Sequence, residues 1–293
     1  MMTQNPILAP ATDRQLDVTN PIKADPLNIG TGFQALSFKQ KDFAGLMDPL
    51  VMVDHFTMTE PTFGTHPHAG MSAVSVLFED SEGRFNNRDS LGNHIDLLPG
   101  DLYWLMAGRG AVHNEAPLPG SKTHALQIFI NLPARLKQTA PTSLHVKATE
   151  MPTLEGQGYR VRVVLGASNG VEGTQSPTLP LTILDATLKA GVAFTHILPA
   201  QHTIWLHPIS GSVQWLNGSA ALTVPEGSAI ALRNNDEAMP FSVRATTDSQ
   251  FVLIEGTPIG ESFIQRGPFV MSNTDEIERV SADYAAGRLG SVK

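Results

Sequence analysis

The stretch "GRFNNRDSLGNHIDLLPGDLYWL", Gly83 to Leu105, decides how the chain is read. It gives a short strand after Gly83, a tight polar turn, a return strand, a Pro-Gly turn and a third apolar strand. The same order recurs where Gly211-Ser212-Val213 is followed by "LTVPEGSAIAL", Leu222 to Leu232. Two such arrays in one chain predict two similar β-units in tandem.

Working outward, further short runs rich in Val, Ile, Leu and aromatics alternate with turn residues. Examples are "SAVSVLF", "ALQIFINL", "YRVRVVLG", "LTILDATL", "TIWLHPI" and "QFVLIEG". The 25 Gly and 21 Pro are spread between them with no low-complexity block. This is the pattern of an all-β sandwich or barrel. A helix is expected only near the end, in "SNTDEIERVSADYAAGRLG". There Asn273 is a cap with Glu276 three residues on, Ile277, Val280 and Tyr284 share one face, and Gly287 is the stop. The segment from 133 to 156 breaks the β pattern and reads as the connection between halves. The organisation expected is a first barrel over 1–135, a second over 136–265, and a helical tail over 266–293.

The bulk numbers bound the function. A length of 293 residues favours two domains. Hydrophobic content of 41% with 16% charged residues describes a well-packed chain. A net charge of -8, with no run of Lys or Arg, argues against direct nucleic-acid binding. The absence of cysteine removes disulfides and thiolate ligands and suits a reducing compartment. The first twenty residues lack the features of a signal peptide, and no stretch reaches the roughly 18 apolar residues of a membrane span. A cytoplasmic protein without membrane contact is expected.

The chemistry-bearing residues come in pairs. His66 and His68 flank Pro67, and alternate residues of a strand face one side. His113 and Glu115 repeat that spacing after a Gly turn in "GRGAVHNEAP". Three imidazoles and a carboxylate form a nitrogen/oxygen set suited to Fe(II), Mn(II), Ni(II), Cu(II) or Zn(II). Glu115 could also serve as a general base. His55, His94, His124, His145, His196, His202 and His207 show no such pairing and read as surface or hydrogen-bonded core residues. The second half offers only His196 at the corresponding place, so one metal per chain is expected. Met52, Phe56, Phe63, Met71 and Met106 are candidate apolar liners of a pocket beside the metal, although core packing explains each individually.

The sequence resembles the pirin family of bicupins. The resemblance runs through "DPLVMVDHF", "HPHAG", "NRDSLGN", "PGDLYWLMAGRGAVHNE" and "LQIFINLP", and resumes at "GPFVMSNTDEI". It implies two antiparallel cupin (jelly-roll) barrels face to face, a C-terminal helix packed back toward the N-terminal half, and a monomer. It also implies a single iron in the first barrel, with the ligands carried onto His66, His68, His113 and Glu115. Some pirins resemble quercetin 2,3-dioxygenases, which open a flavonol, a small phenolic substrate, with O2. Others act as redox-sensitive regulators through protein partners. One departure stands out: the family pattern H-P-H-R-G-F-E has Ala69, Met71 and Ser72 here at its Arg, Phe and Glu places.

Overall fold

The computed structural model describes residues 16–292, so residues 1–15, on which the signal-peptide expectation mostly rests, lie outside it. Strands dominate, as the short β-runs require. The first large sheet has the order Thr142–Val146, Leu102–Met106, Met71–Leu77, Thr123–Asn131, Leu50–Met58, Phe33–Lys39 and Asp25–Ile29. A smaller sheet closes the barrel with His66–His68, Ala111–Pro117, Phe85–Asp89 and His94–Leu97. All these neighbours are antiparallel.

The second half repeats the plan. Its small sheet runs Ala193–Leu198, Met239–Ala245, Ser212–Asn217 and Ala220–Pro225. Its large sheet is built on Ser228–Asn234, Thr203–Ser210, Ser249–Gly256 and Leu181–Leu188. Exchanging each strand for its counterpart turns one order into the other, so the fold is an all-β bicupin. The two stretches that first suggested a repeat occupy corresponding strands.

The large sheets face each other, and alternation explains why both faces are apolar. On Leu50–Met58, Val53 points between the barrels, whereas Met52, Asp54, Phe56 and Met58 point into the first one. The inter-barrel core gathers Phe38, Val53, Trp104 and Ile128 with Trp205, Val252 and Ile254. Phe38 meets Trp205 edge to face, with ring centroids 5.4 Å apart. A separate apolar cluster, including Val163, Leu206 and Phe251, packs the second barrel.

Two segments cross between the halves. Leu16–Val18 pairs with Ser228–Asn234 in the second barrel, and Thr142–Val146 pairs with Leu102–Met106 in the first. The stretch 133–156 is therefore more than a connection, because it supplies an edge strand on its way across. The C-terminal helix spans Thr274–Ala285, and the Asn273 side chain accepts from the Glu276 amide at 3.0 Å. Ile277 and Val280 are buried against Ala69, Val112 and Phe269. Tyr284, on the same face, is 40% exposed and edges the Phe269 ring.

Candidate metal centre

Strand pairing brings the two histidine motifs together. His113 lies directly opposite His66, and Ala111 opposite His68, in the small sheet. The Nε2 atom of His113 stands 2.9 Å from that of His66 and 2.9 Å from that of His68. His66 donates from Nδ1 to the Gly64 carbonyl at 2.8 Å, so its Nε2 carries a lone pair. One proton on His113 Nε2 cannot serve both neighbours. A cation at the centre satisfies all three lone pairs. Nitrogens held about 2.1 Å from one ion at right angles stand about 3.0 Å apart, which the observed spacing matches.

The electrostatics favour the neutral rings a metal needs. Burial, then the neighbouring His66 ring, pushes His68 down to about 3. Burial, then the His68 and His66 rings, hold His113 well below its ordinary value. Among the described residues these three histidines are the cluster whose donor atoms all lie within 4.8 Å of one another. Glu115 sits beside that cluster: its Oε1 accepts from Ser75 Oγ at 2.7 Å, and its Oε2 is 3.9 Å from His113 Nδ1. Burial pushes its carboxyl up to about 7, against the opposing Ser75 hydrogen bond.

The C-terminal segment clamps the ligand strand. Ala69 bridges Phe269, and the Val270 amide donates to the Ala69 carbonyl at 2.9 Å. Gly70 adopts φ +71°, and a Cβ there would lie 1.9 Å from the Val270 carbonyl oxygen, so only glycine fits. The buried Lys137 ammonium donates to the carbonyls of Gly70 and Val270, both at 2.8 Å, and to Asn131 Oδ1 at 2.6 Å.

The three histidines and Glu115 line one wall of a cavity of about 190 Å³. Met52, Phe56 and Phe63 line it as expected, joined by Phe33, Phe85 and Phe129. The Phe129 ring meets His68 edge to face at 5.2 Å. Met71 and Met106 do not line it: Met71 packs on Val51 and Val270, and Met106 belongs to the inter-barrel core. Ala69 also turns away, into the cluster beneath the C-terminal helix. The departures at 69 and 71 therefore alter the clamp and leave the cavity wall as it is. Asp54 and Gln127 are polar liners that sequence reading missed, because nothing in their spacing marks them.

Of the remaining histidines His94 is exposed, and the other six are hydrogen-bonded, yet not all singly. His55 reaches His124 at 2.7 Å and His207 at 3.1 Å, making a chain across the two barrels. In the second barrel His196 and His202 both approach Glu255, and the three do not converge as the first cluster does.

Comparison with known proteins agrees with this architecture. A family model for pirin matches residues 33–130, and one for the pirin C-terminal cupin domain matches 183–290. Pirin of Mus musculus is 32% identical over 253 residues, spanning 83% of this chain and 83% of its own. The crystal structure of a quercetin 2,3-dioxygenase from Acinetobacter baumannii is 25% identical with a TM-score of 0.83, covering 95% of this chain and 99% of that one. A bacterial pirin from Escherichia coli in complex with nickel(II) shares the fold, with a TM-score of 0.63 at 19% identity over 83% of this chain and 100% of that one. With both halves matched and such relatives spanned over most of their length, this chain belongs to the pirin family.

Proposed function

We propose that this pirin is a metal-dependent dioxygenase that opens the ring of a flavonol such as quercetin, adding O2 and releasing carbon monoxide. The observation that carries the reading is the convergence of three neutral imidazole nitrogens on the wall of a cavity whose other lining is mostly Phe and Met. The likeness to the Acinetobacter dioxygenase, over nearly the whole of both chains, supports it.

Iron(II) is the metal proposed, held by His66, His68 and His113 with Glu115 as the fourth ligand. When bound, the metal orients and polarises a substrate hydroxyl and supplies the redox chemistry that O2 requires. The protein does the rest. Ser75 holds one carboxyl oxygen of Glu115, and the other would bind the metal and, on letting go of it, take the proton of the substrate's 3-hydroxyl. The Phe and Met side chains exclude water and hold a planar substrate by its faces.

Oxygen uptake and carbon monoxide release, followed with iron-loaded protein and quercetin, test the reading. Wild type consumes quercetin and O2 in equal amounts. His66→Ala lowers the rate by about 100-fold or more. Turnover unchanged in His66→Ala, or absent from iron-loaded wild type, overturns the proposal.

A further inference from the structure

The cavity beside the histidines is small for a flavonol. It holds about 190 Å³, whereas sites that enclose a drug-sized ligand run to about 300 Å³ or more. A flavonol whose 3-hydroxyl faces the histidines carries a ring on each side of that group. One of those rings must therefore reach the mouth.

Exposure marks where the mouth lies. Of the cavity liners, Phe33, Phe56 and Phe85 are at most 4% exposed, whereas Phe63 is 38% and Leu27 36% exposed. Phe63 stands in the loop just before His66, the least buried of the three histidines, with ring centroids 6.4 Å apart. Its ring edges Phe33 at 5.0 Å, and Phe33 stacks on Phe56 at 5.5 Å. Leu27 and Ile29 belong to Asp25–Ile29, at the end of the large sheet, opposite Ala35 and Phe33. Opposed residues share a face, so both lean to the side of those interior residues. Ile29 is 36% exposed as well. Large apolar side chains exposed singly are common on any surface, but three gathered at one opening form a patch. Three side chains fall far short of the roughly 800 Å² per partner that a stable protein interface buries. They match one face of an aromatic ring, which on landing there removes their apolar area from water.

We propose that Leu27 and Phe63, with Ile29 beside them, are specificity-determining residues that hold the outer ring of a flavonol at the cavity mouth while its 3-hydroxyl faces the histidines. This deepens the flavonol reading and rests on it. The mouth selects polycyclic ligands over one-ring ligands that carry the same hydroxyl and neighbouring ketone.

Equilibrium titration under anaerobic conditions separates binding from turnover. The probes are 3-hydroxyflavone and maltol, which keeps the hydroxyl and ketone on a single ring, titrated into metal-loaded protein. Wild type prefers 3-hydroxyflavone by about 100-fold or more. Phe63→Ala weakens 3-hydroxyflavone about tenfold and Leu27→Ala about threefold, and Phe63→Leu recovers most of the first loss. Maltol, which reports the state of the metal centre, stays within about twofold in all three. Unmoved 3-hydroxyflavone affinity in Phe63→Ala and Leu27→Ala, maltol weakened as much as 3-hydroxyflavone, or no binding of either compound overturns the inference. A wild-type dimer that Phe63→Ala dissociates in sedimentation, with 3-hydroxyflavone affinity intact, gives the mouth to a second copy and also overturns it. Binding that depends on Phe63, with no oxygen consumed in air, upholds the mouth subsite and overturns the dioxygenase.

Discussion

At the scale of single residues, the centre rests on three ring nitrogens, with Glu115 held beside them by Ser75. That arrangement predicts unequal roles. Glu115→Gln should weaken metal binding about 10–100-fold while the three histidines still bind it, and should lower turnover further through loss of the proton acceptor. Metal titration beside oxygen uptake checks this; full metal affinity together with full turnover would contradict it. The histidines were legible because strand alternation puts residues two apart on one side, and two such pairs stand out in any reading. Asp54 was not legible. Its place in "DPLVMVDHF" looks like any polar residue in a strand, and only the packed barrel shows that it lines the cavity.

At the scale of elements, the strand His66–His68 depends on the C-terminal segment as much as on its own sheet. Gly70→Ala places a methyl against the Val270 carbonyl, so the tail must shift. The expected result is destabilisation of about 1–3 kcal/mol in urea unfolding, with weakened metal binding. Unchanged stability would show that the clamp yields freely. The histidine chain between the barrels makes a separate prediction. Burial, with the facing rings, pushes His55 from 6.5 down to about 3, and burial pushes His207 down to about 4. Asp80 faces the far side of His124, and the Ser228 carbonyl faces His207. The native His55 and His207 rings stay neutral, whereas the unfolded chain takes up protons on them below about pH 6.5. Their stabilisation is complete above that pH and is lost as pH falls toward about 4. Between about pH 7.5 and about pH 5 wild type should lose about 2 kcal/mol more than His207→Gln. Equal losses in both would contradict the assignment. No sequence pattern announces this chain, since its members come from three strands distant in sequence.

At the scale of the whole molecule, an extensive apolar core lies between the barrels, and strands cross in both directions. The halves should therefore unfold together. Trp205→Ala, at a side chain 1% exposed between the two large sheets, should cost about 3–5 kcal/mol and lower one shared transition. Two separate transitions by calorimetry would contradict a single cooperative unit. The tandem repeat and the late helix were readable from turn spacing and a capping box, both local signals. The exchange of edge strands was not, because Leu16–Val18 and Thr142–Val146 are short runs whose partners are fixed by tertiary pairing. The claim on which the rest depends is that His66, His68 and His113 hold a metal. Metal analysis of wild type and His113→Ala, both purified without added metal, tests it directly. The expected result is close to one metal ion per wild-type chain and loss of that metal in the variant. An equal metal content in the two proteins, or none in wild type even after incubation with Fe(II), would contradict it.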